Sequence, residues 1–108
     1  MNRVRIRAAL QGRDALRRTP AGIPVLELEM THASTVVEAG MERNLAFAFE
    51  ALAVGEVALR LERVELGALV EVEGFLALRS RRSTRLRVHV TEFERPAGIA
   101  PQATGQGN

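Results

Sequence analysis

Five arginines fall within one short stretch of this chain, and no acidic residue lies among them: Arg79, Arg81, Arg82, Arg85 and Arg87. A guanidinium group stays charged at physiological pH and binds phosphate oxygens through paired hydrogen bonds. The runs before and after the cluster both alternate like β-strands, so the cluster is predicted to form a hairpin tip. We interpret this tip as a phosphate-binding surface rather than as a solvated turn without a ligand.

A second basic cluster lies near the amino terminus, in a segment rich in glycine and proline that runs from Gln11 to Pro24. Its arginines are Arg13, Arg17 and Arg18. The composition of the segment is typical of a long loop. These three arginines are also predicted to contact nucleic acid, although Asp14 offers one of them an ion-pair partner.

Charge is distributed unevenly along the chain, although the net charge of the whole is only +2. Residues 1–18 carry a net charge of +5, residues 19–78 carry −7, and residues 79–95 carry +4. All 15 basic residues are arginine, which a coding bias explains more simply than a special function. Two basic ends therefore flank an acidic middle, and a local basic patch attracts polyanions even when the total charge is near zero.

The residue types argue against an enzyme. The chain has no cysteine and no lysine, which excludes thiol nucleophiles, Schiff bases and a P-loop. Its two histidines, His32 and His89, are far apart in sequence and lack metal-ligand spacing. No catalytic residue, metal or cofactor is therefore predicted. The lack of cysteine suits a reducing cytoplasm, which is the expected location, and no membrane association is expected.

Hydrophobic alternation predicts five strands, and a segment with helical spacing lies between the third and the fourth. The predicted strands are residues 4–10, 26–30, 45–50, 69–78 and 85–94, and the helix is residues 55–66. Residues 33–42, with Glu38-Ala39-Gly40, are predicted to form a loop or hairpin tip. Gly67 is placed to end the helix. Gly74 lies inside the fourth strand and predicts a β-bulge or a sharp bend there.

Three strands, one short helix and a hairpin are the element order of the OB-fold, an all-β, five-stranded Greek-key barrel with the helix between strands 3 and 4. Its ligand face is formed by strands 2 and 3 and is flanked by the loops that join strands 1–2 and 4–5. The two basic clusters fall in those two loops, so the fold is expected to bring them to one cleft. Residues 1–95 are expected to form this domain and residues 96–108 a disordered tail.

Several segments carry a resemblance to a known family: Asn2-Arg3, Thr19 to Pro24, His32 with Ser34, Glu38-Ala39-Gly40, and Val72 to Phe75. Together they resemble primosomal replication protein N, the PriB-type relatives of bacterial single-stranded-DNA-binding protein. The similarity covers about residues 2–94. The combination of Gly22-Ile23-Pro24 with Gly74-Phe75 is moderately specific for these two related families.

The resemblance implies a homodimer that binds single-stranded DNA at stalled replication forks and contacts a restart helicase and a helicase-loader protein. It also implies which basic residues contact DNA: Arg18, Arg43, Arg81, Arg82 and Arg85. One departure affects this expectation. Relatives often carry an aromatic residue near Ala46, on the outer face of the third strand, and this chain has no tryptophan or tyrosine.

The four phenylalanines offer few surfaces on which bases could stack. Phe47 and Phe49 alternate with small residues along a strand and are predicted to lie in the core. Phe75 is ambiguous, because a bulge at Gly74 would reverse the face on which it lies. Binding is therefore expected to be mainly electrostatic and strongly salt-dependent. Two alternatives remain open: a protein-interaction module with weak affinity for nucleic acid, and an RNA-binding OB module.

Overall fold

Six strands and one helix make up the part of the chain that the structure, a computed structural model, describes: residues 1–96. In chain order they are β1 (Val4–Arg13), β2 (Arg17–Arg18), β3 (Pro24–Glu38), β4 (Met41–Val54), α1 (Glu56–Glu62), β5 (Leu69–Leu78) and β6 (Leu86–Glu94). Apart from Pro96, the predicted tail lies outside the described residues, so the domain boundary at residue 95 stays a prediction. Among the described residues, no helix has the length and apolar character needed to cross a bilayer.

The strands close into a barrel. Hydrogen bonding joins them in the order β1-β5-β6-β4-β3-β2, and an additional pairing of β1 with β3 completes the ring. All pairings are antiparallel except that of β4 with β6, where Ala51 lies beside Val88 and Ala53 beside Val90. The two-residue β2 only adds to the edge of β3. Five long strands with a helix between the third and the fourth of them confirm the predicted OB-fold.

The barrel interior is filled by alternate residues of the long strands, and α1 covers it. The largest fully buried side chains are Leu10, Leu26, Met30, Leu61, Val70 and Val72. From the helix, Val57, Ala58 and Leu61 face the barrel. Burying a side chain the size of leucine or valine contributes about 1.5–3 kcal/mol, so this cluster holds the strands that carry the outer surface.

The hairpin of β3 and β4 is longer than the sequence indicates: a hairpin tip lies within residues 33–42 as predicted, but most of these residues belong to the strands. Paired residues continue to Glu38 and Met41, so that only Ala39 and Gly40 form the turn. Both turn residues have positive φ, 53° and 79°, as two-residue hairpins of type I′ require. The alternation in residues 33–37 is too weak to indicate a strand, because the hairpin extends beyond the barrel and buries little of its surface.

Two other boundaries also differ from prediction. The helix ends at Glu62 with Arg63 as its C-cap, several residues before Gly67, because residues 63–66 form turns rather than a further helical turn. The first strand continues to Arg13 across an irregularity between Leu10 and Gly12. Arg13 therefore lies at the end of a strand and not within a loop.

The bulge predicted at Gly74 is present. Glu73 pairs with Glu92 but Gly74 pairs with Val90, which leaves Thr91 on β6 as the extra residue. A Cβ atom at position 74 would lie 1.7 Å from the carbonyl oxygen of His89, so the two backbones can approach this closely only at glycine. Because the extra residue is on β6, alternation along β5 is unbroken, and Phe75 lies on the outer face of the barrel.

Candidate nucleic-acid interface

One groove on the outer face of β3 and β4 joins the two basic segments. The end of β1 contributes Arg13 and Asp14, and the far side contributes Arg79 and Arg87. The remaining lining residues belong mostly to the two strands between them: Glu27, Leu28, Glu29, Glu50 and Ala51. The fold therefore brings residues of the two basic segments to one cleft. We call residues 13–18 the first basic loop and residues 79–85 the arginine hairpin.

Arg13 lines the groove, but its guanidinium group is held by the end of the helix. Its Nη1 donates to the carbonyl oxygen of Leu61 at 3.3 Å and also to that of Val64. These carbonyls lie at the carboxyl end of α1, where backbone acceptors lack helical donors and a cation is favourable. The half-buried Arg13 therefore joins the end of β1 to the end of the helix.

The other two arginines of the first basic loop also have partners within the chain. Arg17 Nη2 lies 3.1 Å from Glu27 Oε2, so the acid that pairs with this loop is Glu27 and not Asp14. Arg18 Nη1 donates to the carbonyl oxygen of Gly22 at 2.9 Å. The same turn is closed by the Thr19 amide, which donates to the Ile23 carbonyl at 2.9 Å. Each arginine of this loop thus stabilises local structure.

The arginine hairpin has a closed base and an open tip. Its base is fixed by the Arg79 amide, which donates to the Arg85 carbonyl at 2.9 Å. Both of these side chains pair with one carboxylate: Arg79 Nε lies 3.7 Å from Glu50 Oε1, and Arg85 Nη2 contacts Glu50 Oε2. At the tip, Arg81 and Arg82 make no ion pair or side-chain hydrogen bond with the residues the structure describes. Two guanidinium groups are therefore exposed beside the groove.

Arg43 lies apart from the other predicted site residues. It pairs with Glu38 near the turn of the β3–β4 hairpin, and it lies opposite Val36 on the facing strand. Seven residues of strand separate it from Glu50, which corresponds to about 23 Å at 3.3 Å per residue. The structure does not bring Arg43 into the groove.

Arg87 belongs to the arginine cluster of the sequence, but it lies on β6 rather than in the predicted hairpin tip. It lines the groove, and its Nε atom is buried without an acceptor among the described residues. The alternation of β6 predicts this position. Because Val88 and Val90 are buried in the core, Arg87 and His89 lie on the outer face of the strand.

An aromatic pair extends the groove. Phe75 and His89 lie opposite each other on β5 and β6, with ring centroids 4.9 Å apart and planes inclined by 23°. Phe75 keeps 38% of its surface exposed. Burial, together with the nearby charge of Arg87, lowers the pKa of His89 below its usual value, so the ring is neutral at pH 7. Leu52 and Val54 of β4 line the same surface beside this pair.

Of the predictions that Phe49 and Phe47 lie in the core, the first agrees with the structure and the second does not. Phe49 packs against the core from a half-buried position, which agrees with its predicted place. Phe47 is 46% exposed, so its predicted place in the core is wrong. It lies where the β3–β4 hairpin leaves the barrel, and among the described residues it is only partly covered. Its ring centroid is 5.1 Å from that of His32.

The floor of the groove is acidic. Glu27, Glu29 and Glu50 all lie on it, and Glu29 is directly opposite Glu50 in the β3–β4 ladder. Within the part of the chain that the structure describes, no three potential ligands cluster in a way that could hold a metal ion. The arrangement is therefore an arginine-lined rim around a carboxylate floor, with an apolar aromatic surface at one end.

Comparison with known proteins assigns the chain to a family. A family model described as "Another single-strand binding protein family" matches residues 2–92. Replication restart protein PriB of Bordetella pertussis is 40% identical over 98 residues, which covers 91% of this chain and 92% of that relative. The chain belongs to the PriB family. The resemblance found in the sequence is thereby confirmed, and the family is one of binding proteins rather than of enzymes.

Solved structures agree with this assignment. The PriB structure from Ralstonia solanacearum has a TM-score of 0.79 at 33% identity and covers 88% of this chain and 97% of that one. The wild-type single-stranded DNA binding protein from Thermus aquaticus has a TM-score of 0.71 at 25% identity. This chain matches it over 91% of its own length but spans only 51% of that protein.

Proposed function

We propose that this chain binds single-stranded DNA during replication restart. The observation that carries the proposal is the groove itself, in which residues from both basic segments meet on the outer face of the barrel. This is the face on which OB-folds bind oligonucleotides. Membership of the PriB family supplies the biological setting, which is the chromosome in the bacterial cytoplasm.

Phosphates and bases would occupy different parts of this surface. Carboxylates on the groove floor repel phosphates, so the DNA backbone would follow the arginine rim, with Arg81 and Arg82 as its main contacts. Bases would then reach the apolar end of the groove, where Phe75 presents its exposed ring. A base stacked on an aromatic side chain contributes about 1–3 kcal/mol, and the stacking tolerates any sequence.

Assembly is the second part of the proposal, and the edge of β1 supports it. β1 pairs with β5 from Val4 to Ala9 but with β3 only from Ala9 onward. In the described residues, the backbone of Val4 to Ala8 therefore pairs with no strand on its β3 side, where His32 Nδ1 donates to the Arg7 carbonyl oxygen at 2.6 Å. An open edge of this kind can pair with another strand. A second copy of the chain would fit there, giving the homodimer that the resemblance implies.

Protein partners form the third part. Two exposed glutamates at and just beyond the carboxyl end of α1, Glu62 and Glu65, provide an acidic surface that lines neither the groove nor its apolar end. We assign this surface to the restart helicase or the helicase-loader protein, because it leaves the arginine rim free for DNA. A charge-removing double variant, Glu62→Gln with Glu65→Gln, should weaken binding of a partner in calorimetry while oligonucleotide binding is unchanged. Unchanged affinity for the partner would show that the partner binds another surface of the protein.

The direct test is fluorescence anisotropy of a labelled single-stranded oligonucleotide over a salt series. Binding should weaken as salt rises, with log affinity falling by about 0.7 per phosphate contact for each log unit of salt. Unlabelled RNA of the same sequence serves as competitor and tests the RNA-binding alternative. Absence of binding at low salt would overturn the proposal in favour of a protein-interaction module. Light scattering on the same samples measures the mass of the assembly.

A further inference from the structure

Glu50 occupies an unusual position for a nucleic-acid-binding surface, because one carboxylate neutralises two arginines of the site. Its Oε1 lies 3.7 Å from Arg79 Nε, and its Oε2 pairs with Arg85 Nη2. Both arginines stand at the base of the arginine hairpin, which a backbone hydrogen bond of 2.9 Å between them keeps closed. The Glu50 side chain is 34% exposed, so it faces the groove and not the core.

The fold itself does not require this carboxylate. Glu50 lies directly opposite Glu29, and like charges facing each other across two strands are destabilising. Its ion pairs with Arg79 and Arg85 offset that repulsion, but exposed pairs of this kind contribute little to stability. Replacing the carboxylate by a neutral amide of the same shape is therefore expected to leave the barrel folded.

We propose that Glu50 limits the affinity of the groove for DNA by holding Arg79 and Arg85 away from phosphates. The inference rests on the proposed function, since it concerns the strength of binding at that same surface. A phosphate that contacts either arginine must displace the carboxylate, which then remains in the groove and repels the DNA. Binding of DNA and the ion pairs at the hairpin base thus exclude each other.

The test is Glu50→Gln, measured by anisotropy with a single-stranded oligonucleotide across a salt series. Two guanidinium groups become available to phosphates, so affinity at about 0.1 M salt should rise about three- to tenfold. The dependence of log affinity on log salt should steepen by about 1.4, at about 0.7 for each new phosphate contact. The melting temperature should change little.

Two matched controls separate the ion pairs from net charge. Glu71 also joins two arginines, with oxygens 3.1 Å from Arg5 Nη2 and 3.3 Å from Arg7 Nη2, but it lies on β5 outside the groove. Glu71→Gln therefore makes the same chemical change in a similar setting elsewhere. Glu29→Gln removes a carboxylate from the groove floor that has no ion pair among the described residues. Both controls should leave the salt slope unchanged.

The outcomes distinguish a failure of the inference about Glu50 from a failure of the proposed DNA binding. An unchanged or lower affinity in Glu50→Gln would overturn the inference while leaving the proposed function intact. Equal gains in affinity in Glu50→Gln and Glu71→Gln would show that only the net charge of the protein matters. Equal salt slopes in Glu50→Gln and Glu29→Gln would show a general effect of the carboxylates on the groove floor. Either result overturns the role of the ion pairs. Wild-type protein that fails to bind at low salt would remove the proposed function and the inference with it.

Discussion

The two basic segments are similar in composition but differ in how their side chains are used. In the first basic loop, all three arginines have partners inside the chain: Arg13 the end of α1, Arg17 a glutamate, and Arg18 a backbone carbonyl. In the arginine hairpin, the two residues of the base share Glu50, whereas the two at the tip have no partner among the described residues. Arginines of the two segments thus differ in their availability to a ligand.

The difference follows from where each segment lies in the barrel. The first basic loop crosses the end of α1 and the edge of β3, where carbonyls and carboxylates are within reach. The arginine hairpin extends β5 and β6 past the barrel, and only its base lies beside β4. A cluster of arginines in a sequence therefore indicates the capacity to bind phosphate, and the surrounding acceptors decide how much of that capacity is free.

The largest effect on DNA binding is expected from the tip of the arginine hairpin. Arg81→Ala with Arg82→Ala should weaken binding about tenfold or more and reduce the salt slope by about 1.4, because two phosphate contacts are lost. The melting temperature should stay the same, since neither side chain makes an ion pair or hydrogen bond with the described part of the chain. A matched control is Arg63→Ala with Arg95→Ala, which removes the same charge from exposed positions away from the groove. Equal loss of affinity in both double variants would contradict the account.

Arg13 is expected to affect stability rather than binding. Arg13→Ala removes a donor from the carbonyls of Leu61 and Val64, which should lower the free energy of unfolding by about 1–3 kcal/mol. The loss falls mainly on the Val64 carbonyl, because that of Leu61 keeps the Val64 amide as a donor at 3.2 Å. Chemical denaturation measures this change, and anisotropy well below the melting temperature should show nearly unchanged affinity. A variant that melts like wild type but binds DNA tenfold more weakly would make Arg13 a DNA contact.

Phe75 tests whether the surface beside the arginine hairpin also holds bases. Phe75→Ala should weaken binding about five- to tenfold, as the loss of one stacked base implies. It should weaken binding of an abasic oligonucleotide of the same length much less. Phe47→Ala is the matched control, because Phe47 is similarly exposed and also lies beside a histidine ring, at 5.1 Å and an interplanar angle of 37°, but outside the groove. Similar losses with normal and abasic oligonucleotides would argue against base stacking at Phe75.

The smallest effect is expected from the exposed part of the first basic loop. Arg17→Ala with Arg18→Ala should weaken DNA binding less than about threefold, because each guanidinium already has a partner in the chain. The salt slope should remain that of the wild type. A slope reduced as much as in the hairpin double variant would show that both segments contact phosphates equally, and the contrast between them would disappear.

The fold was predictable because its signals are local. Alternation located the five long strands, Gly74 marked the bulge, and Glu38-Ala39-Gly40 located the tip of the long hairpin. The length of that hairpin was not predictable, since its outer half buries little apolar surface and therefore carries little alternation. The same absence of covering strands leaves Phe47 exposed, although it alternates like a core residue.

The site was predictable only in part, because ion pairs depend on register between distant strands. The sequence places Glu50 and the arginine hairpin about 30 residues apart, and only the pairing of β4 with β6 brings them together. The partner of Arg13 depends likewise on where α1 ends against β1. Composition identified which side chains could bind phosphate, whereas register determined which of them have partners.

The contrast between the two segments is tested most directly by NMR of the arginine side-chain Nε–Hε signals, which a protein of 11.8 kDa allows. Titration with a single-stranded oligonucleotide should shift the signals of Arg81 and Arg82 most, those of Arg79 and Arg85 less, and that of Arg13 hardly at all. Shifts concentrated on Arg13, Arg17 and Arg18, with the signals of Arg81 and Arg82 unchanged, would contradict the account.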